Sequence, residues 1–304
     1  MSLRANLLLV ATLMTTVSVT HASPEDSLAA AVAISNGYRV TANVTYVKAS
    51  GAESKLDIYQ STASGGPRKT VMWIHGGNWI GGSKEASTVS ILPFLALGWN
   101  VANVEYRLLG FSPAPAAPED CYCALRWVVE HAKEYNVDPK NIIVSGNSAG
   151  GHLALLTASA PPSAGLDRLC SGGPRPNVLA VVNWYGFPDL QVLLEGQDMR
   201  PAVRAWVGYG ADRAELAQRL SPANYVDART PPVFSVHGDA DPTSPYRYEQ
   251  QYHARLDRAG VLNELFTVKG GKHGGFTNSQ MEQIFDAMNK FLARIPDASS
   301  GQTP

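Results

Sequence analysis

From residue 71 onward the chain repeats one pattern, a short apolar, β-branched run followed by a stretch with helical periodicity. Val71-Met72-Trp73-Ile74, Ile142-Ile143-Val144 and Val233-Phe234-Ser235-Val236 are continuously apolar or nearly so, as strands covered on both faces of a sheet must be. Strands are expected near 38–47, 54–59, 71–74, 100–106, 141–145, 178–184, 233–236 and 264–268. The first two have no helix between them and should form an antiparallel edge, whereas strand–helix alternation after residue 71 implies right-handed parallel crossovers. Helices are expected over 118–134, over 149–156 and around 201–209. The fold class that follows is α/β, a doubly wound, mostly parallel sheet of eight strands flanked by helices. The stretch 187–220 is longer than a simple crossover, so it reads either as a small lid or as surface helix and loop, with Trp206 and Tyr209 packing on the sheet. Residues 299–304 read as a polar tail.

Composition narrows the picture. The 304 residues are 45% hydrophobic and 17% charged, enough to bury a large core within one domain spanning 23–304. With 25 basic and 26 acidic side chains, the net charge of −1 gives no basis for binding nucleic acid or an acidic membrane. The N-terminus departs from the globular pattern. Arg4 precedes a mostly apolar stretch from Ala5 to Val19, and Thr20-His21-Ala22 ahead of Ser23 fits a small-x-small cleavage site. Residues 1–22 therefore read as a secretory signal peptide, with the mature chain periplasmic or secreted and without a stable membrane anchor. Of three cysteines, Cys121 and Cys123 sit two apart in a helical segment, where they point in different directions and are poorly placed to bridge each other. Cys170 is left as a partner for either, and three unbridged thiols are the alternative. No Cys or His spacing is that of a zinc site, and neither metal nor cofactor is expected.

The chemistry sits at strand ends. Gly146-Asn147-Ser148-Ala149-Gly150 places a serine between two glycines where the strand 141–145 turns into a helix. This G-x-S-x-G turn forces the serine into strained backbone, and the new helix directs N–H groups at any developing oxyanion. An acid follows the strand 233–236, at Asp239 or Asp241, and His273 lies among small residues in the loop after 264–268. Serine, acid, histidine is the chain order of the α/β-hydrolase fold and differs from the orders of the chymotrypsin and subtilisin families. Upstream, the buried strand 71–74 runs straight into His75-Gly76-Gly77-Asn78-Trp79, where glycines let the main chain approach a substrate carbonyl closely.

Taken with Leu56-Asp57-Ile58-Tyr59, Glu105-Tyr106-Arg107, Ser221-Pro222 and His237-Gly238-Asp239-Ala240-Asp241, these motifs resemble the hormone-sensitive-lipase-like and acetyl- or feruloyl-esterase-like α/β-hydrolases. The resemblance covers nearly the whole mature chain. It implies a nucleophile at Ser148, a base at His273 and, with Pro242 following, the acid at Asp241 rather than Asp239. It implies oxyanion donors at the N–H groups of Gly77, Asn78 and Ala149, and it makes Trp79 a candidate substrate-binding side chain. His75, His152 and His237 read as structural, and Phe276 as packing beside the base. The expected activity is that of an exported serine carboxylesterase acting on short-chain or aromatic acyl esters. An arylformamidase or amidase, which shares the H-G-G-x-W loop, is the alternative. A binding protein on a dead hydrolase scaffold is disfavoured because every catalytic part is present.

Overall fold

A computed structural model describes residues 24–170 and 176–296, so the expected signal peptide and the polar tail lie outside the described residues. The chain divides into two compact units, residues 1–36 and 37–304. The helix α1 (Pro24–Gly37) makes up the described part of the first.

In the second unit, β1 (Tyr38–Ala49) and β2 (Ala52–Ser61) form an antiparallel hairpin. Its two-residue connection, Ser50 and Gly51, has φ of 52° and 75°, the left-handed pair that matches the twist of the flanking strands. The chain then alternates: β3 (Arg68–Ile74), α2 (Thr88–Ala96), β4 (Asn100–Val104), α3 (Ala116–Glu130), β5 (Val137–Asn147), α4 (Ala149–Ser159), β6 (Ala180–Trp184), α5 (Pro201–Val207), α6 (Arg213–Arg219), β7 (Val233–Gly238), α7 (Tyr246–Arg258), β8 (Asn263–Val268) and α8 (Asn278–Leu292). The eight strands lie in the order β1-β2-β4-β3-β5-β6-β7-β8. β2 pairs antiparallel with β4, and every pairing from β4 through β8 is parallel. The expected α/β architecture, antiparallel edge included, is the observed one. Its core is the buried face of β3–β7 with Leu153, Leu156, Leu125 and Val128 from the helices.

Three local expectations change. β5 starts at Val137 rather than at the expected 141, because Val137 pairs with Arg68 and a register irregularity absorbs the residues between. α3 stops at Glu130, where His131 caps it and Asn136 turns the chain with φ 53°. Trp206 packs as expected, but Tyr209 is 70% exposed: Gly208, at φ 98°, turns the chain just before it. The stretch 187–220 is a series of short turns, 3-10 segments at 191–193 and 196–198 followed by α5 and α6. Cys170 bridges Cys123 with their Cα atoms 5.0 Å apart, and Cys121 is a buried free thiol.

This topology brings the carboxyl ends of β3, β5, β6, β7 and β8 to one edge of the sheet, where open α/β sheets place their ligands.

Candidate active site

Ser148 occupies the junction between β5 and α4 with φ 56° and ψ −120°, a conformation that costs a non-glycine residue about 1–3 kcal/mol. Neighbours hold it there: its N–H donates to the Trp184 carbonyl at 2.8 Å, and its own carbonyl accepts from His152 N at 3.0 Å. The flanking glycines are required by close approach. A Cβ on Gly146 would lie 2.5 Å from the Ile74 carbonyl oxygen, and one on Gly150 only 2.0 Å from the same atom. The end of β3 thus presses against both sides of the turn.

The loop after β8 carries His273 over this serine. His273 Nε2 lies 2.7 Å from Ser148 Oγ, and Nδ1 lies 2.7 Å from Asp241 Oδ2. With Asp241 ionised, Nδ1–H donates to the carboxylate, which leaves Nε2 to accept the serine proton. Asp241 Oδ1 accepts from the N–H groups of Thr243 and Ser244 at 2.7 and 3.0 Å. Burial works against its charge, but hydrogen bonds from His237, His273 and the Ser244 backbone outweigh that and hold the carboxyl well below the usual range. Asp239, the other acid left open by spacing, lies elsewhere and accepts from Gly270 N at 2.6 Å.

Across from the base, Gly77, Asn78 and Trp79 have φ of 121°, 57° and 60° in succession. The turn is closed by Ile80 N and Gly81 N, both donating to the Gly77 carbonyl at 3.0 Å, and a Cβ on Gly77 would sit 2.0 Å from the Gly81 oxygen. Gly76 N donates to Asn147 Oδ1 at 3.0 Å, tying the loop to the serine turn. His75 fixes the loop from below, its Nδ1 2.7 Å from the Gly76 carbonyl and its ring stacked on Tyr106 at 4.3 Å. Among the described residues the N–H groups of Gly77 and Asn78 have no acceptor. The Ala149 N–H is the first of α4, where no intrahelical partner exists.

Trp79 does not join them at the surface. Its indole is fully buried, stacked on Trp206 at 4.6 Å, and its Nε1–H donates to His152 Nδ1 at 3.3 Å. His152 in turn donates Nε2–H to the Leu220 carbonyl at 2.7 Å, and burial drives its pKa down to about 4. The structure therefore directs Trp79 into the core beneath the loop, because the positive φ at Asn78 and Trp79 turns the ring inward.

One residue at the site escapes sequence reasoning. Tyr185, at φ 42° just past β6, meets the His273 ring edge-on at 4.8 Å and the Phe276 ring at 5.8 Å. Phe187 flanks His273 at 6.0 Å. The only hint in the sequence is the position of Tyr185 at the carboxyl end of a buried strand. An activated hydroxyl, a base oriented by a carboxylate and free N–H donors nearby form a constellation suited to acyl transfer.

The BD-FAE family model matches residues 56–256. Esterase LipQ of Mycobacterium tuberculosis is 28% identical over 254 residues, covering 81% of this chain and 60% of the relative. The chain spans about three fifths of the length of such relatives. Among solved structures, a truncated carbohydrate esterase from gut microbiota superposes with a TM-score of 0.71 at 27% identity, covering 85% of this chain and 98% of that one. Thermogutta terrifontis esterase 2 with propionate bound gives 0.71 at 26% identity, covering 88% of this chain and 97% of that one.

Proposed function

The chain belongs to the BD-FAE family of α/β-hydrolases, and on that footing we propose that it is a serine carboxylesterase that hydrolyses short-chain or aromatic acyl esters through an acyl-enzyme. The observation that carries this reading is the unbroken line Ser148–His273–Asp241, with both contacts at 2.7 Å.

A serine hydroxyl is a poor nucleophile near neutral pH, so His273 Nε2 takes its proton as Oγ attacks the ester carbonyl. Asp241 keeps Nδ1 protonated and stabilises the imidazolium as it forms. The N–H groups of Gly77, Asn78 and Ala149 receive the oxyanion, each such donor lowering the barrier by about 3 kcal/mol. His273 then protonates the leaving alcohol, and water activated by the same nitrogen releases the acid and regenerates Ser148. A short acyl group is supported by the propionate bound to the Thermogutta relative. The aromatic ring of Tyr185, half-buried beside His273, suits an apolar acyl or alcohol group.

Export belongs to the same proposal. It rests on the Ala5–Val19 stretch with Thr20-His21-Ala22, and on the Cys123–Cys170 bridge, a bond that persists in oxidising compartments.

The test is turnover of p-nitrophenyl esters from acetyl to long acyl, with feruloyl esters and a formyl amide alongside, by the exported protein and by Ser148→Ala. Short esters should turn over, Ser148→Ala should lose about 10⁴-fold or more in kcat, and the exported chain should begin at Ser23 by intact mass. Preference for the formyl amide would install the amidase reading instead. Undiminished turnover by Ser148→Ala would end both.

A further inference from the structure

Beneath the Ser148–His273–Asp241 line runs a second line of buried titratable groups that the proposed chemistry does not use. His237, the penultimate residue of β7, packs against Asp241, its Nε2 2.8 Å from the Ser244 carbonyl and 3.3 Å from Asp241 Oδ2. Its other nitrogen, Nδ1, faces Glu249 Oε2 at 3.7 Å. Glu249 belongs to α7, is fully buried, accepts from Asn183 Nδ2 at 3.0 Å through Oε1, and lies 3.4 Å from His253 Nε2 one turn along the helix. His253 Nδ1 reaches Asn263 Oδ1 at 2.7 Å near the surface. The five titratable side chains from His273 to His253 thus alternate base, acid, base, acid, base.

The hydrogen-bond inventory points to charge. His237 Nδ1 and Glu249 Oε2 are both buried without a conventional hydrogen-bond partner, and they face each other at 3.7 Å. A neutral His237 that donates Nε2–H to Ser244 would turn a bare Nδ1 lone pair on a carboxylate oxygen, two acceptors face to face in a dry site. A second proton on the ring converts that repulsion into an ion pair.

We propose that Glu249 is a positioning residue for Asp241 and acts through His237: its buried carboxylate keeps the His237 imidazole a cation, and that cation fixes the Asp241 oxygen that orients His273. The proposal rests on the assignment of Asp241 as the acid of the triad. The charged and titratable groups facing this relay are few. His237 is faced by Asp241 from the loop after β7 and by Glu249 and the Tyr246 ring from α7. Glu249 is faced by His237, by His253, and by Tyr252, whose phenol burial pushes far up and so keeps neutral. Burial disfavours both charges, but the two imidazoles bring Glu249 down to about 2, and the adjoining carboxylates of Asp241 and Glu249 bring His237 up to about 9.

With Gln at position 249, the side chain still reaches Asn183, its amide can donate to His237 Nδ1, and the ring becomes neutral. More of the Asp241 charge is then left acting on the His273 imidazolium, which displaces the acid limb of the pH–rate profile to higher pH. The experiment compares wild type, Glu249→Gln, Glu249→Asp and Asp241→Asn on p-nitrophenyl acetate across pH, with ¹⁵N shifts of the histidine rings assigned through His237→Gln. We expect both His237 nitrogens protonated in the wild type near neutral pH and one in Glu249→Gln. Glu249→Gln should lose about tenfold in kcat at little change in KM, the scale typical of a group one contact removed from a functional side chain, and Glu249→Asp should recover the doubly protonated ring and part of kcat. Asp241→Asn should lose about 10⁴-fold.

If Asp241→Asn turns over like wild type, the acid assignment fails. If Asp241→Asn is inactive while folded Glu249→Gln matches wild type in kcat and pH profile, the relay alone is overturned. Should Glu249→Gln not fold, a singly protonated His237 ring in the wild type overturns it equally.

Discussion

His152 and His237 are both completely buried, one against the serine turn and the other against Asp241, and the protein drives them in opposite directions. On the serine side, His152 is enclosed by the rings of Trp79 and Trp206 and the Leu220 carbonyl, with no carboxylate in contact, and burial alone brings it down to about 4. On the acid side, His237 lies between Asp241 and Glu249, whose carboxylates outweigh the same burial and bring it up to about 9. Burial therefore does not decide the charge of a histidine; what shares the cavity does. The contrast extends to the whole site. The serine side stores its function as backbone geometry and tight glycine contacts, and the acid side stores it as charge.

The sharpest way to break this contrast is to place a methyl group on each side. Gly150→Ala puts its Cβ 2.0 Å from the Ile74 carbonyl oxygen, and since both partners are backbone, the strand end or the helix start must shift. We expect a loss of at least about 4 kcal/mol, the scale of a backbone clash in a packed core and a large part of the whole stability of a domain. Gly275→Ala, in the loop beside His273, has no atom within 4 Å of the added Cβ and bears only its φ of 69°, worth about 1–2 kcal/mol. Denaturant midpoints of the two variants read the difference directly. A Gly150→Ala protein as stable as Gly275→Ala would show that the serine turn is not held by close contact.

Titration separates the two sides next. His152 has a native pKa below its ordinary 6.5, so between about pH 4 and 6.5 the unfolded chain binds a proton that the native one refuses. Stability rises with pH through that window, by about 3 kcal/mol if the whole shift is expressed. His237 has the opposite sign: the native state holds its proton between 6.5 and about 9, so its contribution is complete below 6.5 and is lost as pH rises through 9. Glu249, held near 2, contributes above its ordinary 4.5 and loses that contribution as pH falls towards 2. Stability measured by urea unfolding should therefore peak near pH 6.5. His152→Asn should flatten the acid side of that curve and leave the alkaline side in place. Loss of the alkaline slope in that variant would mean that the two histidines are not independent.

The two sides also differ in how far the sequence discloses them. The serine turn, the glycine loop and the order of Ser148, Asp241 and His273 are local motifs at strand ends, and alternating apolar runs are enough to give the strands, their parallel alternation and the antiparallel edge. Glu249 carries a signal that is easily passed over. It occupies an inward position of the α7 stripe Glu249, Tyr252, His253, Leu256, where an amphipathic helix normally places an apolar residue. A carboxylate there demands buried cationic partners; His253 one turn along α7 is visible in the sequence, but His237 lies on β7, and only the folded sheet brings it to Glu249. The direction of the Trp79 ring, set by two consecutive positive φ values, and the outward turn of Tyr209 after Gly208 depend on backbone conformations that the residue types do not announce. The pairing of Cys170 with Cys123 rather than Cys121 likewise depends on which face of α3 the loop crosses.

The smallest expected effect tests the serine side on its own terms. If that side works through its main chain, the exposed side chain of Asn78 should matter little so long as the N–H stays where it is. Asn78 sits at φ 57°, a conformation asparagine tolerates and glycine adopts without cost, so Asn78→Gly keeps both the turn and the donor. Its kcat/KM should stay within about threefold of wild type, less than about 0.7 kcal/mol. This is a bolder substitution in shape than the isosteric Glu249→Gln on the acid side, and yet it should cost less, because one removes a side chain from a site built of backbone and the other removes a charge from a site built of charge. A loss approaching the about 3 kcal/mol of a missing oxyanion donor would instead assign the Asn78 side chain a direct part in the transition state.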